Sequence, residues 1–263
     1  MINIVEIKKK INNGCTTPYI VWCDDGKTYA VKFPGNEQGV KALVNEYIAS
    51  NLCKYLELPI LDYNLINVKI SDYNEKTRGI LKPIEGTAFG TVYNNNILPV
   101  LNPGIIAKSQ NKNDAIKILI FDILIGNYDR NKGNLMIDSS SKKIIMIDHT
   151  HIFNLGTIWD ENQLPRHINE KFDVSILHPF NYNNIIQSKK IDENFYKDLN
   201  NFIKRVKSIN NEEIENIIND IPQDWNINEK EKKLLTEYIY NRFKRVDEIL
   251  KILDIKGGDN SEN

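Results

Sequence analysis

Cysteine is scarce in this 263-residue chain: Cys15, Cys23 and Cys53 are odd in number and lack the spacing of a metal site. That speaks against a disulfide framework and points to reduced thiols in a cytosol. No charge sign dominates. Thirty-four basic residues face 35 acidic ones, for a net charge of −1, so the chain builds no strong field for nucleic acid or an anionic membrane. Long apolar runs are missing as well. Asp122 interrupts the best one, and no membrane span is expected. The opening MINIVEIKKKINN sets its lysines after a short apolar segment rather than before a long one, unlike a signal peptide. No internal repeat is evident. What remains is a cytoplasmic globular chain, 41% hydrophobic, long enough for one large domain or two closely joined lobes.

The most informative stretch runs from Ile118 to Phe153. It reads as the end of a buried helix, a polar loop and a β-hairpin. Ile118 to Leu124 are apolar apart from Asp122, and the loop 126–134 is dense in charge and amide. The short apolar runs 135–137 and 144–147, separated by Ser139-Ser140-Ser141-Lys142 and the second ending on Asp148, suit two buried strands. Asp129, Asn134 and Asp148 are thereby held at the ends of rigid apolar elements, as a reactive group needs. Phosphoryl transfer requires a carboxylate to orient the attacking hydroxyl and oxygen ligands for Mg²⁺. Asp129 followed five positions later by Asn134 has the spacing of a kinase catalytic loop. The spacing alone is common here, recurring at Asp62/Asn67 and Asp122/Asn127. Only the third pair has helix, loop, hairpin and terminal acid in order. Asp and Asn also favour turns and caps for purely structural reasons.

Upstream, 2–11 alternates as a first strand, and 18–23 with 28–33 forms a hairpin around Asp25-Gly26. In its second strand Tyr29, Val31 and Phe33 share one face, Ala30 and Lys32 the other. Taken singly, Lys32 is an ordinary solvated lysine on an edge strand. A helix follows from Asn36 to about Glu57, stopping before Pro59. Glu46 is the one acid in its middle, either solvated or paired with Lys32. Gly14, Cys15, Thr16 and Thr17 lie between the first two strands, where backbone N–H groups and hydroxyls can meet phosphate; a plain turn is an equal reading. Strands are expected at 64–70 and 77–84, then a turn-rich linker 85–90, an irregular connection 91–110 and a helix from about 113. Lys82, Ile84 and Glu85 mark the expected hinge that would hold adenine. After Asp148, His149 and His151 leave a zinc set incomplete, and Thr150 and Ser175 carry no modification signature. The C-terminal part reads as amphipathic helices, with Asn228 capping the longest.

The loop Asn127-Tyr128-Asp129-Arg130-Asn131-Lys132-Gly133-Asn134, with Ile147-Asp148-His149 downstream, resembles the HipA-like kinases, and its Asp-Arg and Asn-Leu-Met parts resemble phosphoinositide 3/4-kinases. The resemblance implies an α+β, two-lobed protein-kinase-like fold, a small antiparallel β lobe with one helix (1–86) and a mainly helical lobe (87–256), while Gly257-Gly258-Asp259-Asn260 onward reads by itself as a disordered tail (257–263). It implies ATP- and Mg²⁺-dependent phosphorylation of a Ser or Thr hydroxyl on a protein substrate, with autophosphorylation. In that scheme Asp129 is the base, Asn134 and Asp148 bind Mg²⁺, Lys32 contacts the phosphates and Glu46 holds Lys32. A lipid or small-molecule kinase of the same fold, or a catalytically silent ATP-binding module, are the alternatives. Asn131 stands where a His is common, and His149-Thr150 replaces Phe-Gly after the metal-binding acid. Toxin-type members carry an extra N-terminal subdomain, whereas here a strand starts almost at once, which leaves an antitoxin-type partner doubtful.

Overall fold

In the computed structural model, residues 1–11, 17–77, 80–131, 133–173 and 193–255 are described; Ser175 and the expected tail 257–263 lie outside them. Five strands close into a barrel of order β1-β2-β3-β5-β4. They are β1 (Ile2–Lys10), β2 (Tyr19–Cys23), β3 (Thr28–Lys32), β4 (Tyr63–Val68) and β5 (Gly86–Val92). All neighbours are antiparallel except β1 and β4, which run parallel through Ile2↔Ile66 and Asn3↔Asn67. That short pairing turns the expected antiparallel sheet into a closed barrel and removes its exposed edges. The alternation in the β3 sequence holds. Tyr29, Val31 and Phe33 fill the barrel interior with Ile7, Tyr19 and Val21, while Ala30 and Lys32 face a cavity outside it.

Of the strand expected at 77–84, the described residues 77 and 80–84 form none. The fifth strand is Gly86–Val92 instead, in the stretch expected to be a linker. Two glycines made this stretch read as a linker, since glycine weakens strands. Here Gly90 serves packing: a Cβ would press on the Ile66 side chain and lie 3.4 Å from Tyr29 Cβ and Val31 Cγ2. The start of β5 is tied to a distant loop. Thr87 donates its backbone N–H (2.5 Å) and hydroxyl (3.0 Å) to Asp224, and Trp225 Nε1 donates to Thr87 O at 2.8 Å.

Helix α1 (Val40–Tyr55) is buried nearly all round, Ala42 to Ser50 without interruption. It joins the main core, which gathers around α3 (Asp114–Ile125) with Ile118, Leu119, Phe121 and Leu124 fully buried. The region read as irregular contains β6 (Ile97–Pro99) and α2 (Pro103–Ala107). β6 pairs with β7 (Leu135–Asp138), which pairs with β8 (Ile144–Met146). Then come α4 (Leu164–His167), α5 (Glu193–Ser208), α6 (Asn211–Asn219), α7 (Glu229–Lys244) and α8 (Val246–Ile252). Asn210 and Asn228 begin α6 and α7 with reciprocal caps involving Glu213 and Glu231. Cys23 and Cys53 are free and buried, and burial pushes the Cys23 thiol up to about 12. Among the described residues no helix is long and apolar enough to cross a membrane.

Candidate active site

The site grows out of the end of α3. Gly126 closes the helix in the left-handed conformation (φ 65°), which glycine adopts without strain. The Asn127 N–H then returns to Asp122 O at 2.8 Å. Asp122, fully buried in an apolar helix, receives Arg130 Nε at 2.9 Å, Arg130 Nη2 at 3.1 Å and Asn127 Nδ2 at 2.8 Å. Such a carboxylate is tolerated only because it is paired and hydrogen-bonded. Arg130 spends Nη1 on two carbonyls, Asn134 O at 2.7 Å and Ile147 O at 2.6 Å. One guanidinium thus fixes the backbone at Asn134 and next to Asp148. Neither Asp122 nor Arg130 was among the sequence candidates. The signal was present in an acid set inside an otherwise apolar run, which demands a nearby cation.

With the loop so anchored, Asn134 donates its side-chain amide to Asp129 O (2.7 Å) and to Asp129 Oδ2 (3.1 Å). The nitrogen is committed, and the amide oxygen is the atom left to ligate. Asn131 donates to Asp129 Oδ1 at 3.1 Å, so the residue standing in place of His grips the same carboxylate. Asp148 adopts a left-handed backbone (φ 57°) two residues after β8 ends, a conformation that Asp tolerates better than most residues.

Lys32 is no solvated edge lysine. β3 lies between β2 and β5, and Lys32 is buried at 9% exposure. Its ammonium pairs with Glu46 Oε1 and donates to Asp148 Oδ1 at 2.9 Å and to Thr150 Oγ1 at 2.8 Å. Glu46 also accepts from Thr150 Oγ1 and from the His149 N–H, both at 3.1 Å. Thr150 bridges acid and lysine and, at 1% exposure, is closed to modification. Asn45 ties α1 to the same segment by donating to the carbonyls of Thr150 (2.6 Å) and Gly156 (2.8 Å).

Burial alone would lower the Lys32 pKa, but the Asp148 and Glu46 carboxylates outweigh it and hold it above the ordinary value. Burial would raise Asp148 and Glu46; the Lys32 ammonium and the hydrogen bonds they accept keep both below theirs. The depressed carboxylates contribute stability above their unfolded values, lost as pH falls through the folded ones. The raised lysine contributes below about 10.4. We therefore expect the denaturant midpoint to drop on acidification below about pH 4, with a shallower acid limb in Asp148→Asn. An identical limb in that variant would remove Asp148 from the account.

Lys32, Glu46, Asp129, Asn134 and Asp148 all line one cavity of about 750 Å³. Thr91, Val92, Tyr93 and Asn94, at and after the end of β5, form another wall, with Ala30, Leu61 and Phe89. Lys82, Ile84 and Glu85 do not line it. Lys82 N donates to Gly35 O at 3.1 Å, Ile84 is 44% exposed, and Glu85 accepts from Ile70 N at 3.2 Å. The chain that lines the cavity in their place is 91–94, because the strand on that side is β5. Gly14, Cys15 and Thr16 lie outside the described residues. Thr17 is buried and does not line the cavity, although its neighbour Pro18 and the more distant Ile11 do.

A barrel joined to a helical body, with a buried lysine–glutamate pair facing an Asp/Asn loop and a further Asp, is the arrangement of a kinase fold. Residues 4–252 match the HipA-like kinase family, and the chain belongs to it. Solved structures share the fold. The Helicobacter pylori proinflammatory kinase CtkA is 17% identical, with a TM-score of 0.56 and 94% of each chain covered. The Golgi casein kinase with Mn/ADP bound is 14% identical, with a TM-score of 0.55, covering 97% of this chain and 75% of that one. Shewanella oneidensis HipA, solved with HipB and operator DNA, is 13% identical, with a TM-score of 0.53, covering 94% and 67%. No curated protein matches the sequence.

Proposed function

We propose that this chain binds Mg-ATP in the 750 Å³ cavity and transfers the γ-phosphoryl group to a serine or threonine hydroxyl of a protein, its own chain included. The observation that carries the reading is the meeting of Lys32, Glu46, Asp129, Asn134 and Asp148 at one cavity, from four separate elements. The barrel with α1 acts as the smaller lobe and the helical remainder as the larger. Lys32 holds phosphate oxygens, and Glu46 with Thr150 keeps its ammonium in place. The Asn134 amide oxygen and the Asp148 carboxylate would hold the divalent ion, whose charge, when bound, offsets that of the phosphates. Asp129, steadied by Asn131 and Asn134, orients the acceptor hydroxyl and takes up its proton. Ala30, Phe89 and 91–94 supply the apolar wall and backbone groups suited to adenine. The family match supports a protein acceptor.

Binding is tested by thermal shift. Nucleotide at about 100 times its Kd adds about 2.7 kcal/mol, a Tm rise of roughly 5–10 °C for a chain of this size. The rise should need Mg²⁺ or Mn²⁺ and shrink in Lys32→Met. Equal melting curves with and without Mg-ATP would overturn the reading. Mapping of phosphorylated residues after incubation then identifies the acceptor as serine, threonine or neither.

A further inference from the structure

A second cavity, of about 450 Å³, shares no lining residue with the first. Gly126, Asn154, Lys171 and Arg242 of α7 are among its walls, together with the acids Asp122, Glu170 and Asp173. Arg242 is 2% exposed, yet no carboxylate among the described residues forms an ion pair with it. Its Nε and Nη2 donate to the carbonyls of Leu124 (2.7 Å) and Ile123 (2.8 Å), and its plane faces the Phe172 ring at 4.6 Å. Nη1 is buried without a hydrogen-bond partner. Two further buried polar atoms in that condition, Asn154 Oδ1 and Tyr238 OH, flank Gly126.

Two of the three acids in its wall have side-chain partners of their own. Asp122 is held by Arg130. Glu170 Oε2 takes the Asn154 amide at 3.0 Å and His167 Nδ1 at 2.7 Å. Since the Asn154 nitrogen is committed to Glu170, its oxygen is the acceptor that remains. Glu170 favours the Arg242 charge from a distance without forming an ion pair with it, but a buried guanidinium N–H left without an acceptor is costly, and an oxyanion supplies that acceptor.

We infer that this cavity is a binding site for a phosphate-class oxyanion, gripped by Arg242 Nη1 and drawn in by Lys171 at its rim. A phosphate that keeps one P–OH accepts from Arg242 and donates to Asn154 Oδ1 together, whereas sulfate has no proton to donate. Arg242 also holds the last carbonyls of α3, so the anion sits against the helix that leads into the Asp129 loop. The inference concerns binding alone and stands apart from the phosphoryl-transfer reading.

Calorimetric titration of the full chain with inorganic phosphate, O-phosphoserine and sulfate tests it, in a Lys32→Met background that removes the cleft's own cation. One bound phosphate is expected, weakened at least tenfold by Arg242→Gln and by Lys171→Glu, with sulfate the weaker ligand. Tighter binding of O-phosphoserine than of phosphate would identify a phosphorylated side chain as the source; the reverse order would identify the free ion. Should Arg242→Gln not fold by circular dichroism, the exposed Lys171→Glu carries the test alone. Absence of binding at millimolar phosphate, or binding that Lys171→Glu leaves unchanged, overturns the site.

Discussion

Asp129→Ala is expected to cut transfer of label from γ-labelled ATP by about 10²–10⁴-fold, the range for removing a positioned acid–base group. The same change should leave the fold standing. Asp129 is half-buried and held by two side-chain donors, Asn131 and Asn134, each at 3.1 Å. Bonds of this kind each contribute about 0.5–1.5 kcal/mol net, a small part of a domain's stability. The Mg-ATP thermal shift should survive, since Lys32, Asn134 and Asp148 remain. Loss of transfer with nucleotide binding retained places Asp129 in chemistry rather than in binding. Transfer at the wild-type rate would remove it from the reaction, and loss of the thermal shift as well would mean that its main duty is to hold Asn134 in position.

That Asp129, Asn134 and Asp148 converge was legible because the parts of their stretch are contiguous. An apolar helix, a polar loop and two short strands follow one another, and Asp129, Asn134 and Asp148 fall at their ends. Lys32 was legible by face, since alternation puts it opposite Tyr29, Val31 and Phe33. That it is buried was not. Burial comes from β5 on its other side and from two carboxylates, one of them 116 positions away. The 91–94 wall of the cavity went unseen for a related reason. Gly86 and Gly90 break the strand pattern, and the space that requires Gly90 is made by Tyr29, Val31 and Ile66 of two other strands. Such a requirement leaves no mark within a short window. Ile97–Pro99 is too short to show a period and gains strand character by pairing with Met136 to Asp138.

The largest loss of stability is expected from Asp122→Ala. Both oxygens of this carboxylate are used: Oδ1 by Arg130 Nη2 and Asn127 Nδ2, Oδ2 by Arg130 Nε. Side-chain exposure is 1% for Arg130 and 0% for Asp122. Deleting one partner of a buried pair costs about 3–5 kcal/mol, because the other charge stays behind without it. Replacing both at once is cheaper, so Asp122→Leu combined with Arg130→Met should recover much of the stability lost in Asp122→Ala, read as a higher denaturant midpoint. Activity should not return with it. Arg130 Nη1 also holds the carbonyls of Asn134 and Ile147, and methionine cannot donate to either. The Asn134 amide and the Asp148 turn would lose their common brace, in a reaction that depends on position to within about an ångström. A stable and inactive double variant is the expected result. A stable and fully active one would show that β7, β8 and the Lys32 network fix Asn134 and Asp148 unaided, and that the Asp122–Arg130 pair serves the fold alone.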